Sequence, residues 1–257
     1  WLFMASLVGV LVGTSTTLFI KLLTWSGQLA LHYKYYFLLL PAALVISVLL
    51  VNYFAPDAKG HGTEKVIEAI HQRSGRIKIA VIPVKLIATL ITLAAGGSAG
   101  KEGPCAQIGA GLASTLAEIF KFNNDDRKKI VICGISAGFA SVFGTPISGA
   151  IFGVEVLFAG AVVYDVLLPS FVAGITAHQV AQALGLTYFY HPLQFVPIFS
   201  ETFFLKVAGA GIFFGLCSGL LIETLKFGER LAAQIRTNSI LKAFIGGCIL
   251  IVLAFIF

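Results

Sequence analysis

Two glycine-rich interruptions, one of them holding a carboxylate, carry the chemistry of this sequence. Gly60-His61-Gly62 precedes one short helix, and Gly100-Lys101-Glu102-Gly103-Pro104 precedes another. The first amides of a helix have no acceptor within it, and the helix dipole adds about half a positive charge at that end. Anions are the natural ligands of such ends. A phosphate-binding P-loop is excluded, because GxxxxGK[ST] would need glycine at Ala95 and serine or threonine at Glu102. Glu102 has two readings from the residues alone: a carboxylate that caps a helix start, or one that occupies an anion's place beside the free amides.

The elements that hold these breaks belong in lipid. The 257 residues are 58% hydrophobic and 12% charged, with a mean hydropathy of +0.93, too apolar for a soluble domain. The length allows roughly eight spans of about 20 residues. The net charge of +6 sits in short loops between apolar segments, so it indicates membrane topology and not nucleic acid. Cys105, Cys133, Cys217 and Cys248 stand singly in apolar runs, which argues against a zinc site or a disulfide framework. No nucleophile–base pair and no metal-ligand cluster stands at helical spacing, so an enzyme is not expected, nor is a cofactor.

Along the chain, Leu2–Ile20 reads as a first span and Phe37–Ala55 as a second. A short amphipathic helix is expected from Thr63, an apolar segment over Ile79–Leu93 and a helix over Cys105–Phe120 with Pro104 in its first turn. Gly144-Thr145-Pro146 is expected to divide the region from Ile130 to Tyr164 into two short helices. Val166–Ser200 contains no Asp, Glu, Lys or Arg, though His178 and His191 lie there, and Val207–Ile222 reads as a further span. Gly9 and Gly13 echo Gly211, Gly215 and Gly219, a weak sign of an internal repeat. Trp1 opens directly into an apolar run, and Ala243–Phe257 would reach only about 22 Å as helix against a hydrocarbon core of about 30 Å. The expectation is a chain trimmed at its start and cut inside a span.

Glycine-rich breaks at membrane depth survive only where protein or a watery cavity surrounds them, and here their sequences become specific. Gly100–Pro104 resembles the GREGP signature of the CLC chloride channel and transporter family, with Lys101 for the usual arginine. Gly60–Gly62 lies at the place of that family's GSGIP signature, and Gly144–Glu155 is similar to its N-A-P-L-A-G-x-L-F-x-x-E run. The resemblance implies an all-α polytopic membrane protein of the CLC inverted-repeat fold, with interrupted, tilted helices. The whole chain, residues 1–257, would then be one incomplete membrane domain, with the first repeat over about 1–200 and the start of the second over about 201–257. It further implies transport of chloride or a similar small anion, with protons as possible co-substrates, by a homodimer in a membrane, there the inner membrane of a prokaryote.

By the same resemblance Gly60, His61, Gly62, Gly100, Lys101, Gly103 and Pro104 form the anion-binding set, and Glu102 is the gate. Protonating Glu102 removes the competing charge, which links opening to pH and to anion concentration. Lys101 is expected to point away to a polar or interfacial partner. His61 replaces the family's serine, and two roles stay open to it: a ring N–H donating to the anion, or a ring facing the vestibule while only backbone amides matter. Proton-coupled members carry a second glutamate where this chain has Val156. Glu155, one position earlier, is the candidate proton relay, with a helix-packing acid as its alternative. The expected activity is therefore a voltage- or pH-sensitive channel or weakly coupled exchanger. The rival readings are a strictly coupled antiporter, a fluoride- or nitrate-preferring relative and a non-transporting membrane scaffold.

Overall fold

The computed structural model describes residues 1–157, 163–188, 200–235 and 237–256. Among the described residues there are ten α-helices and no strand: α1 Leu2–Leu31, α2 Leu40–Phe54, α3 Thr63–Arg73, α4 Val81–Ala94, α5 Glu102–Ile119, α6 Asn124–Phe143, α7 Pro146–Glu155, α8 Tyr164–Ala183, α9 Glu201–Gln234 and α10 Ser239–Ile256. Among the described residues four stretches are long and apolar enough to cross a membrane: Leu2–Leu31, Tyr36–Phe54, Glu201–Gln234 and Ser239–Ile256. The part of the uncharged run that covers 189–199, His191 included, lies outside the described residues.

Several boundaries differ from the sequence expectation, among them α9, which runs Glu201–Gln234 where the sequence reading gives Val207–Ile222. The first helix does not stop near Lys21 but continues to Leu31. Nothing in Leu22–Leu31 forbids helix, and a lysine stem lies along an apolar surface with its amine outward. The stretch before Gly144 is not a short helix but a 20-residue one, because Asn123 starts it inside the polar loop. The Asn123 side-chain oxygen accepts the Asp126 amide at 2.8 Å, and Asp125 and Asp126 in the first turn suit the dipole. Asn123→Ala is expected to remove about 1 kcal/mol, lowering the melting temperature in detergent by about 2–4 °C.

The core is built where helices carry small residues. Gly109 of α5 and Gly134 of α6 each lie against the other's carbonyl oxygen, and Gly138 lies on the Cys105 carbonyl. A methyl on either partner of the first pair would strike backbone, so only glycine permits this approach. Gly9 and Gly13 seat α1 on Ala173, Thr176 and Ala177 of α8 in the same manner. Around these crossings Val8, Val12, Ile130, Ile135, Val154 and Ala177 are buried in one apolar cluster.

The chain forms two compact units, Trp1–Tyr188 with Ala243–Phe257, and Phe189–Lys242. Within the first, Gly247 of α10 packs on Pro41 at the start of α2, and Phe255 meets Phe37 edge-on at 5.3 Å. The second contains the whole of α9, which opens at a Ser200 cap whose hydroxyl accepts the Phe203 amide at 3.2 Å.

Candidate anion site

After α2 the chain makes one 3-10 turn at Pro56–Ala58 and then the first break. Gly62 stands at φ +109°, a conformation that side chains rarely adopt. From there the Val66 amide donates to the Gly62 carbonyl at 3.2 Å, opening α3. The amides of Thr63, Glu64 and Lys65 therefore have no acceptor within the helix.

Three side chains from elsewhere tie this loop down. The buried Lys85 of α4 donates to the carbonyls of Ala58, at 3.0 Å, and Gly60, at 2.6 Å. Gln107 of α5 donates from Nε2 to the Asp57 carbonyl at 2.9 Å, and the Asp57 carboxylate pairs with Arg73 at 2.9 Å. A buried ammonium needs oxygens around it, and the carbonyls exposed by the broken helix supply them.

The second break ends when the Cys105 amide donates to the Lys101 carbonyl at 3.1 Å, so α5 begins at Glu102, three residues earlier than the sequence reading placed it. Pro104 fits the first turn because its missing N–H would have no helical acceptor there. The amides of Glu102 and Gly103 are left free of the helix ladder.

The two helix starts meet. Gly103 lies directly against the His61 carbonyl oxygen, and a Cβ on Gly62 would sit 2.7 Å from the Gly103 carbonyl oxygen and 3.1 Å from Gln107 Oε1. Backbone contact at this range needs glycine on both sides. It sets the positive end of α3 against that of α5, two partial charges that favour an anion together more than either does alone. Glu102 is half-buried at this junction, and its carboxylate lies back against Gly100, where a side chain would take its place. No side-chain hydrogen bond or ion pair reaches it among the described residues. Gly60, His61 and Gly100 are exposed, while Lys101 is half-buried at the α5 N-cap.

The third motif forms a third interrupted start. Gly144, at φ +71°, ends α6, and Pro146 opens α7, with the Gly149 amide donating to the Thr145 carbonyl at 2.9 Å. Gly149 packs on the Ala140 backbone, and Tyr188 covers Gly144 while its hydroxyl donates to the Ser141 carbonyl at 2.8 Å. α6 thus touches both interrupted partners, through Gly138 on the start of α5 and Ala140 on α7. Glu155 is exposed at the far end of α7, roughly 14 Å along the helix from Pro146.

Lys85 and Gln107 were not singled out from sequence. The signal was present, since each is an isolated polar residue inside an apolar helix, but nothing local says what it reaches.

Similarity to known proteins covers this whole framework. Residues 43–257 match the family model for voltage gated chloride channels. The chain is 37% identical over 255 residues to a chloride/fluoride channel protein of Pseudomonas syringae pv. tomato, covering 98% of this chain and 56% of that protein. It is 34% identical over 167 residues to the H(+)/Cl(-) exchange transporter ClcA of Salmonella schwarzengrund, covering 60% of this chain and 35% of that one. Among solved structures it resembles a CLC-type fluoride/proton antiporter, with a TM-score of 0.91 and 28% identity over 98% of this chain and 63% of the antiporter. The chain thus spans little more than half the length of the channel protein and under two thirds of the antiporter.

Proposed function

The chain belongs to the voltage-gated chloride channel family, and from that premise we propose that the protein transports small halide ions, chloride or fluoride, at a site formed by the starts of α3 and α5. The contact of Gly62 and His61 with Gly103 carries this reading. Two breaks 40 residues apart in sequence, 60 to 100, become one electropositive junction whose free donors are backbone amides, the Lys85 ammonium being taken up by the Ala58 and Gly60 carbonyls. Transport needs binding strong enough to replace hydration and weak enough to release, and partial charges on backbone amides meet both demands.

In this reading Gly60, His61, Gly62, Gly100, Gly103 and Pro104 shape the site and Glu102 is its gate. Lys101 contributes as the α5 N-cap and not as an anion ligand. The carboxylate and the halide compete for the same amides, so protonation of Glu102 admits the anion. α9 and α10 open a second repeat, and two copies of the whole protein pair in the membrane, each with its own pathway.

Proton coupling is the second reading, and the likeness to a fluoride/proton antiporter favours it. Val156 at the position of the internal glutamate speaks for weak coupling. Glu155, exposed at the end of α7, is the candidate relay. Halide efflux from liposomes containing the full-length protein tests the transport reading, and its absence at acid pH would overturn it. Acidification of the lumen driven by a halide gradient in the same vesicles separates exchanger from channel. Glu155→Gln is expected to leave halide efflux within about twofold of the parent, since a relay residue carries protons and not the anion.

A further inference from the structure

We infer that Gln107 is a positioning residue of the anion site, a side chain that sets the α3 break in register with the first turn of α5. The inference rests on reading the two helix starts as that site. Gln107 is 2% exposed and lies one and a half turns into α5. Its Nε2 reaches across 50 residues of sequence to the Asp57 carbonyl at 2.9 Å. Its Oε1 is buried without a hydrogen-bond partner among the described residues and is aimed at Gly62, where a Cβ would stand 3.1 Å away.

A buried carboxamide with one end bonded and the other unpartnered is unfavourable for folding, and an apolar residue of like volume would avoid the loss. The other two tethers act elsewhere on the loop. Lys85 holds Ala58 and Gly60 from α4, and Arg73 holds the Asp57 side chain from α3 itself. Gln107 alone among the three belongs to α5, the helix whose start completes the site. Its single bond fixes the distance between the two sets of free amides, and binding at backbone amides falls off with misplacements of well under 1 Å. The charged and titratable groups on the loop it holds are Lys85 from α4, on the Ala58 and Gly60 carbonyls, and the Asp57–Arg73 pair, with His61 beside Gly62 and Glu102 at the start of its own helix.

The test uses the full-length protein in liposomes on a Glu102→Gln background, so that the gate does not titrate. Gln107→Leu is expected to raise the halide KM about tenfold, the scale of one displaced hydrogen bond, with maximal efflux nearly unchanged. Gln107→Glu is isosteric, and its protonated carboxyl can donate to the Asp57 carbonyl while the carboxylate cannot. Its KM should match the parent below about pH 5 and rise to the leucine variant's value or beyond above about pH 7, on either side of a buried carboxyl's titration. The acid-pH match guards against a variant that merely misfolds. An unchanged KM in Gln107→Leu, or a KM for Gln107→Glu that follows the parent at every pH, overturns the assignment. Absence of efflux in the Glu102→Gln parent counts against transport itself, and Gln107 is then judged by the halide-dependent rise of melting temperature in the same three proteins.

Discussion

Glu102→Gln is expected to leave halide efflux fast and flat across pH, where the parent's efflux climbs as pH falls. The sign follows from competition. As a carboxylate, Glu102 sits in the first turn of α5, where the amides proposed to hold a halide stand, with Gly100 leaving room beside it. Proton binding removes its charge, so in the proposed gate occupancy by the anion rises as pH falls. Glutamine is neutral at every pH and of nearly equal size. The ratio of efflux at pH 5 to that at pH 7.5 should drop from roughly tenfold or more to about one, as expected when a single titrating group governs the site. Fluorescent or electrode measurement of halide efflux at the two pH values decides it. A pH ratio equal to the parent's would remove Glu102 from the gate.

Gly103→Val should eliminate transport. Gly103 lies on the His61 carbonyl and its own carbonyl lies under Gly62, so a branched side chain would enter space held by backbone on a neighbouring segment. Backbone cannot rotate aside as a flexible side chain can, and such overpacking costs at least about 1–3 kcal/mol. The loop tethered by Lys85 and Gln107 would have to lift from α5, parting the two helix starts. Efflux is expected to fall about 100-fold or more, with Gly103→Ala intermediate, because each added carbon widens the junction in a site where small displacements weaken binding steeply. Efflux from the valine variant within about twofold of the parent would show that the contact does not form the site. Size-exclusion profiles in detergent distinguish a displaced loop from a protein that fails to fold.

The predicted break positions and the structure agree where local chemistry decides. Glycine at Gly62 and Gly144 and proline at Pro104 and Pro146 state by themselves where a helix can stop and start; α3 and α7 begin at those places, and α5 opens at Glu102 with Pro104 in its first turn. The long run of α1 and the early start of α6 were less legible. Lys21 resembles a terminus but is compatible with helix, and Asn123 resembles loop although its side chain caps a helix.

Local residue patterns alone identify a helical membrane protein with three helix interruptions, free amides at the helix starts that follow them, and motifs that are those of chloride channel relatives. These follow from residues within a turn or two of each other, because a helix end depends on its nearest neighbours and on lipid tolerating no unpaired backbone. It takes the folded chain to show that Gly62 and Gly103 touch, that Lys85 and Gln107 hold the first break from two different helices, and that α6 contacts both α5 and α7 through glycine crossings. Those facts depend on how some forty intervening residues turn back across the membrane. No single residue encodes that path; it is fixed by close packing, which acts only when all the helices are present together.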